Sequence, residues 1–234
     1  MSVPSVEAPS LAERGSERAR GRRDRLRLDR VVTGALEVAG EIGVDRMTMK
    51  DVAARLGVGT MSLYHYVDDK SDLLTHMVSR LYEGVALPPE GEPWRERLGT
   101  IATQVYRAYV AVPGLHSHVA LTSPPLASAG RVADGTMAIL MRAGLDRRNA
   151  MKTAMVVLGY AANQGDASAQ RLLLWREHPD RRDEIAAAIA RADSQAELQG
   201  LRAEALFLPY DELFEHGLDL LLDGLAVRLV PSVP

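Results

Sequence analysis

The stretch 48–67 constrains the fold of this chain most strongly, because it contains two short helical segments joined by a three-residue break. A capping box at Thr48 and Asp51 begins the first segment, with the Thr48 oxygen available to the amide of the third residue and Asp51 near the positive end of the helix. Gly57 ends that segment, because glycine readily adopts the positive φ that terminates a helix. The second segment is predicted over 60–67.

The spacing within this stretch is typical of a helix-turn-helix. Ala53 is small, and Gly57 follows four residues later. We expect Val58 and Leu63 to fill the corner between two steeply crossed helices. The outward side of the second segment then presents hydroxyls, a methionine, an aromatic ring and an imidazole, which suit base edges, thymine methyls and phosphates. These residues are Thr60, Met61, Ser62, Tyr64 and His65. The alternative is a plain helical hairpin that serves only packing.

An arginine-rich segment precedes this pattern. Between Arg14 and Arg30, eight arginines and three acidic residues give a local charge of +5, in a chain whose total charge is −3. Residues 1–25 have no apolar periodicity and are predicted to form a disordered basic arm. This arm is either a solvated leader or a segment that seeks a polyanion. The total charge alone argues against a nucleic-acid binder, whereas the clustering of the arginines favours one.

The rest of the chain is helical in pattern, and no segment alternates as a strand does. A helical run over 28–42 stops at Gly43, and a turn at 88–93 rich in proline and glycine marks a hinge. Later helices are predicted at about 94–111, 126–143, 147–174, 181–192 and 211–228. We therefore predict an all-α fold with two domains.

Composition excludes several classes of protein. The chain has no cysteine, which excludes a disulfide scaffold, cysteine-based zinc sites and a catalytic thiol. No apolar stretch reaches the roughly 18 residues of a membrane span, and the N-terminal region carries arginines where a secretory signal is apolar. We find no Ser-His-Asp set, His-x-x-x-His pair, phosphate loop or carboxylate pair in an apolar context. We expect no catalysis, cofactor, metal or membrane partner, and a cytoplasmic location.

Residues 56–67 read Leu-Gly-Val-Gly-Thr-Met-Ser-Leu-Tyr-His-Tyr-Val, and Lys-x-x-Leu-Leu follows at 70–74. These motifs resemble the DNA-binding domain of the TetR (tetracycline repressor)/AcrR family, over about 28–82. The resemblance is looser in the second half, at 94–98 and 214–225. It implies a helix-turn-helix DNA-binding domain at 26–86 and a ligand-binding and dimerisation domain at 93–230.

The resemblance also implies which side chains contact a double-stranded DNA operator. Tyr64 and Lys70 match clamps on the DNA backbone, and one of His65 and Tyr66 is expected at the DNA edge with the other in the core. Met61 departs from the tetracycline repressor, which has proline there, so the operator sequence is not carried over. The implied DNA-binding residues are Lys50, Thr60, Met61, Ser62, Tyr64, His65 and Lys70.

Operators generally need two half-sites, so we expect a homodimer. The segment 151–170 is rich in glycine and alanine, which permits close helix contact, and 211–228 is apolar on more than one face. Paired across a twofold axis they would form a four-helix bundle. The alternative for 211–228 is an internal core helix.

The remaining helices are expected to surround a cavity for a small hydrophobic effector held by a few hydrogen bonds. Tetracycline itself is not expected, because Ile101, Val105 and Val119 stand where the tetracycline repressor holds the drug and its magnesium, and apolar groups cannot ligate magnesium. The alternative for the candidates below is ordinary core packing. The candidate ligand-binding residues are Tyr106, His116, His118, Thr122, Met137, Met141, Met155, Tyr160, Asn163 and Trp175.

These features together predict a ligand-responsive DNA-binding regulator, in the form of a repressor that a small molecule releases from its operator. A helical carrier or enzyme without DNA binding is the alternative from a different class. An activator would share the same sequence features.

Overall fold

The computed structural model describes residues 28–119, 127–192 and 201–229, and within these ranges the chain is all-α, as predicted. The first four helices are α1, described over 28–42, α2 (Met49–Leu56), α3 (Thr60–Leu63) and α4 (Lys70–Glu83). They are followed by α5 (Trp94–Val110), α6 (Leu115–Val119), α7 (Ala127–Arg142) and α8 (Arg147–Glu177). The last elements are α9 (Pro179–Ala192), α10 (Leu201–Glu204), a 3₁₀ turn (Ala205–Phe207) and α11 (Tyr210–Leu229).

Local signals set several of the helix ends. Gly43 and Gly57 follow α1 and α2 with φ of 80° and 68°, a left-handed conformation that glycine adopts without steric cost. The Asp69 carboxylate accepts from the Asp72 amide at 2.8 Å and caps α4. Asp146 caps α8 in the same way through the amide of Arg148. These helix starts follow from residues within one turn of the cap.

Helices α1–α4 pack around a shared apolar core whose buried members include Val52, Leu63, Leu73 and Met77. In the second half, α5 lies along α8 at close range. A side-chain carbon at Gly165 would lie 2.4 Å from the carbonyl oxygen of Tyr106, so only a glycine permits this approach.

The connector between α4 and α5 is held by hydrogen bonds from two helices. Arg131 on α7 donates to the carbonyls of Tyr82 and Val85 at 2.9 and 2.8 Å. Gln104 on α5 accepts from the Ala86 amide at 2.8 Å and donates to its carbonyl at 3.1 Å. Residues 82–86, which precede the proline-rich stretch 88–93, are therefore held by α5 and α7, and the Pro88 carbonyl accepts from the Arg97 guanidinium on α5 at 3.2 Å.

The structure corrects two local expectations. The second helix of the helix-turn-helix is a single turn that ends at Leu63, and residues 64–66 form a turn closed by the Tyr66 amide on the Leu63 carbonyl at 2.8 Å. Val58 does not fill the corner, because 45% of its surface is exposed at the edge of a cleft of about 170 Å³. Leu63, the other residue expected in the corner, is fully buried. Helices α6 and α10 were not predicted.

Candidate functional site

The helix-turn-helix begins at the capping box. The Asp51 carboxylate accepts from the Thr48 amide at 2.8 Å and from its hydroxyl at 2.6 Å, and the Thr48 hydroxyl accepts from the Asp51 amide at 3.3 Å. These hydrogen bonds with the Thr48 side chain and backbone lower the pKa of Asp51, so the carboxylate stays charged at the positive end of α2. At the other end, the Val58 amide donates to the Ala53 carbonyl at 3.0 Å and turns the chain sharply into α3.

The segment 60–66 then separates into an inner and an outer side. Leu63 is buried and Tyr66 is half-buried against the core, which assigns Tyr66 to the core side and leaves His65 exposed. Met61 is 75% exposed and Tyr64 is 43% exposed. Met61 and Tyr64 are three residues apart, so this turn presents an apolar and an aromatic side chain to solvent together.

The other predicted DNA contacts lie in or near this turn in the sequence, and they differ in how far their side chains are exposed. Lys50 is exposed on the first turn of α2, Ser62 is exposed and Thr60 is half-buried. Lys70 begins α4, and its Nζ donates to the carbonyl of Val44 at 2.8 Å. Lys70 is half-buried, and this hydrogen bond ties its side chain to the turn between α1 and α2.

In the second half, an aromatic stack joins three helices. The Phe214 ring on α11 lies between Tyr106 on α5, at a centroid distance of 4.0 Å, and Tyr160 on α8, at 5.7 Å. The Tyr106 hydroxyl donates to the Asp211 carboxylate at 2.7 Å. Burial, with a contribution from the Asp211 charge, raises the pKa of Tyr106 to about 12. The stack is therefore apolar across its faces and polar at its edge.

The remaining candidate ligand residues do not converge on one cavity. His116 packs edge-on against the Tyr109 ring at 5.2 Å, and His118 lies 2.6 Å from the Asp45 carboxylate. Met137 is half-buried, whereas Met141, Met155 and Asn163 are exposed. The Trp175 indole donates to the Tyr210 hydroxyl at 2.7 Å, and Thr122 lies outside the described residues. Of the ten candidates, Tyr106 and Tyr160 are joined by a shared contact with Phe214.

Two residues of this region were missed by sequence reasoning. Phe214 is the centre of the aromatic stack, and Asp166 is a buried carboxylate on α8. The sequence carries a signal for Asp166, because it is an acidic residue inside a run of alanine, glycine and serine. Such runs pack closely, so an acid within one is buried and needs hydrogen-bond donors.

The outer face of α8 and α11 exposes several large apolar side chains. Large exposed side chains on this face include Met155 and Val156 on α8 and Leu220 and Val227 on α11. A cleft of about 350 Å³ lies between the two helices and is lined by apolar residues such as Val156, Leu220 and Leu225, with Lys152 and Arg228 beside them. An apolar face of this kind on a single protomer is typical of a surface that another chain covers.

Within the part of the chain that the structure describes, no helix combines the length and apolar character required to cross a bilayer. No group of three or more histidine and acidic side chains among these residues is arranged to hold a metal ion.

Comparisons with known proteins agree with this architecture. Residues 31–77 match the family described as "Bacterial regulatory proteins, tetR family", and residues 87–229 match "Tetracyclin repressor-like, C-terminal domain". The HTH-type transcriptional repressor DrrR1 of Streptomyces coeruleorubidus is 29% identical over 231 residues, which cover 93% of this chain and 83% of the relative.

Solved structures share the same arrangement of helices. One described as "a possible TetR family transcriptional regulator from Streptomyces coelicolor A3(2)" has a TM-score of 0.71 and 27% identity, and the match covers 86% of this chain and 99% of that one. The Streptomyces coelicolor TetR family protein ActR, in complex with actinorhodin, has a TM-score of 0.68 and 21% identity, with 88% and 98% covered.

Proposed function

Because this chain belongs to the TetR family of bacterial regulatory proteins, we propose that it is a homodimeric repressor that a small hydrophobic molecule releases from its DNA operator. The observation that carries the proposal is the turn 60–65, which projects Met61 and Tyr64 outward from a rigid helix-turn-helix. In the bound dimer the two copies of the turn enter successive major grooves about 34–36 Å apart.

The chemistry of the exposed turn fits base reading supported by backbone contacts. Met61 offers an apolar surface for thymine methyls, and the hydroxyl of Ser62 bonds base edges or phosphates. Tyr64 and His65 would contact the DNA backbone at the edge of the groove. Lys50 and Lys70 would bind phosphates on either side of the turn, and the arginines of residues 1–25 would add further contacts.

A second copy of the chain is the occupant we propose for the apolar face of α8 and α11. Residues such as Met155 and Leu220 would be buried against the same helices of the partner, in a four-helix bundle. The pairing would also bring the two DNA-binding domains into one molecule, as an operator with two half-sites requires.

We place the effector beside the aromatic stack of Tyr106, Phe214 and Tyr160. The rings are apolar, and the Asp211 carboxylate and the Tyr106 hydroxyl lie at their edge. Because Tyr106 and Phe214 are almost completely buried, a flat apolar effector would have to open the stack as it binds. Crystals of ActR with actinorhodin show that this fold is able to hold a ligand. Binding would shift the population toward dimers whose recognition turns no longer match the operator, provided the ligand binds those dimers more tightly.

Selection from a pool of random-sequence DNA duplexes tests the proposal directly. The full chain is expected to enrich a two-half-site sequence and to bind it at least about a thousandfold more tightly than random DNA at physiological salt. Binding would be followed by fluorescence anisotropy. Absence of any enriched sequence, or equal affinity for all duplexes, would reject a role in operator recognition.

A substitution at Lys50 separates phosphate binding from base reading, because Lys50 is exposed and lies outside the turn that we propose reads bases. Lys50→Ala should weaken binding to the selected operator and to random DNA by similar factors and reduce the salt slope by about one. Arg147→Ala removes an exposed charge from the start of α8, distant in sequence from the turn, and serves as the matched control. A control that weakened DNA binding as much as Lys50→Ala would contradict the assignment of Lys50.

A further inference from the structure

The buried carboxylate of Asp166 on α8 holds the start of α6. Asp166 is 3% exposed, and its Oδ1 accepts from the backbone amides of Gly114 at 2.9 Å and His116 at 3.3 Å. Its Oδ2 accepts from the Ser117 hydroxyl at 3.0 Å and the Gln170 side-chain amide at 2.7 Å. Four donors satisfy a charge that burial would otherwise disfavour. The turn between α5 and α6 is therefore fixed to the middle of α8.

The same turn is bonded to the DNA-binding domain. The carbonyl of Pro113, next to Gly114, accepts from the Val44 amide at 2.8 Å. The carbonyl of Val44 in turn accepts from Nζ of Lys70 at 2.8 Å. Lys70 is the first residue of α4 and follows the exposed turn that we propose reads DNA. These hydrogen bonds thus connect α8, through the α5–α6 turn, to the recognition element.

The C-terminal end of α8 makes a second attachment to the turn between α1 and α2. Glu177 forms an ion pair with Arg46, and the Arg176 guanidinium donates to the carbonyl of Glu41. The Leu173 side chain packs against Gly43 within the same turn, where a side-chain carbon would lie 3.0 Å from Leu173 Cδ2. Helix α8 is therefore attached to residues 41–46 directly at 173–177, and indirectly at Asp166 through the α5–α6 turn.

One helix thus carries both the surface proposed for dimerisation and the attachment of the DNA-binding domain. Helix α8 has 31 residues, which corresponds to a length of about 46 Å at the rise of an α-helix. Met155 and Val156 lie exposed toward its N-terminal end, and the attachments lie in its C-terminal half. A continuous helix transmits displacement along its length with little bending, because its backbone hydrogen bonds and packing resist it.

We infer that Asp166 is a positioning residue for operator recognition: through the α5–α6 turn it sets where each DNA-binding domain sits relative to the dimer. Glu177 and Arg176 act with it at the end of α8. This inference rests on the proposed function, since it concerns the spacing of two recognition turns in a homodimer. The contacts of α8 would set that spacing. Asp166, Arg176 and Glu177 need not touch DNA or ligand to do so.

The test measures preference for half-site spacing. The duplex selected by the wild-type chain from the random pool is remade with the distance between half-sites changed by one and by two base pairs, and a single half-site duplex is included. Asp166→Ala should reduce the discrimination between native and altered spacing by about fivefold, with similar affinity for the single half-site. Asp166→Asn keeps a carbonyl oxygen for the two backbone amides and should restore most of the discrimination.

Two further variants separate positioning from stability and charge. Asp134→Ala on α7 makes the same change in charge at an exposed site and should keep the wild-type spacing profile. Arg176→Ala combined with Glu177→Ala removes the second attachment without altering the net charge, and both residues are exposed, so the variant is expected to fold. It should relax the spacing preference in the same direction as Asp166→Ala.

The outcomes distinguish this inference from the proposed function. If the wild-type chain enriches no sequence, the proposed function fails. If it enriches an operator and the variants keep the wild-type spacing profile, or weaken binding equally at every spacing, the positioning role is overturned and the repressor proposal stands. If Asp166→Ala lacks the helical circular dichroism of the wild type, the spacing profile of the Arg176→Ala/Glu177→Ala variant decides in its place. An unchanged profile in that variant then overturns the positioning role.

Discussion

The hydroxyl of Tyr160 on α8 occupies the space that any side chain at Gly217 on α11 would need. An ideal Cβ built at Gly217 lies 2.0 Å from the Tyr160 oxygen and 2.7 Å from its Cζ. The same hydroxyl donates to the carbonyl of Phe214 at 3.1 Å. The position of the Tyr160 ring in the aromatic stack therefore depends on a glycine one turn further along α11.

Gly217→Ala should destabilise the protein by about 1–3 kcal/mol, because the rigid Tyr160 ring must move out of the stack. Urea unfolding followed by circular dichroism measures the change. The matched control is Gly99→Ala on α5, where nothing lies within 4 Å of the added carbon; there the better helix propensity of alanine should stabilise by roughly 1 kcal/mol. If both substitutions shifted stability in the same direction, the steric account would be wrong.

Met61→Ala should weaken binding to the selected operator by about 1 kcal/mol, because the variant cannot make an apolar contact with a base. Its affinity for random DNA should change little. Because Met61 is 75% exposed, the unfolding free energy should stay within about 0.5 kcal/mol of wild type. Anisotropy titrations against both duplexes provide the measurement. Leu201→Ala, at an exposed leucine of α10, is the control, and equal weakening on operator and random DNA would show that Met61 does not read bases.

Removal of residues 1–25 should weaken operator binding and flatten its dependence on salt. For each phosphate that the arm neutralises in the full chain, its removal reduces the slope of log affinity against log salt concentration by about 0.9. The measurement is a series of titrations between roughly 50 and 200 mM salt, the interval over which phosphate binding changes affinity strongly. A truncated chain with an unchanged slope would identify the arm as a solvated leader.

Leu220→Glu should convert the proposed homodimer to monomer, because Leu220 is 61% exposed and a carboxylate buried there would lose its hydration, a cost that the nearby Lys152 and Arg228 would offset only in part. Sedimentation velocity at micromolar concentration reports the change. Leu201→Glu places the same charge on exposed α10 and should leave the dimer intact. A wild-type chain that sediments as a monomer would refute the proposed assembly outright.

The stability of the protein should fall as pH rises above about 10, and part of this loss should come from Tyr106. Burial raises the pKa of Tyr106 from 10.0 to about 12 in the folded chain. The unfolded chain therefore releases this proton first, between about pH 10 and 12, and the equilibrium shifts toward unfolding. Below pH 10 the contribution is fully present.

Tyr106→Phe should show a shallower loss of unfolding free energy over this interval, measured from urea midpoints between pH 8 and 11. The variant is also expected to be less stable by about 1 kcal/mol at neutral pH, since it loses the hydrogen bond to Asp211. A pH dependence identical to that of the wild type would mean that Tyr106 does not contribute to the alkaline loss.

The sequence by itself determined the features that depend on residues within about one helical turn. The capping box at Thr48 and Asp51 and the left-handed glycine at Gly57 are readable, because capping partners stand three residues apart and the positive φ is a property of the residue itself. Amphipathic spacing likewise predicted the all-α class and most helix bounds, since burial of one face follows the helical period.

The tertiary structure alone decided which side chains meet across the chain. Val58 was expected in the corner and lies exposed beside a cleft, and α3 is one turn instead of two, whereas Leu63 is fully buried as expected. Asp166 finds donors about 50 residues away, and Phe214 lies between two tyrosines from other helices. No local spacing encodes such partners, because they are selected by how whole helices pack.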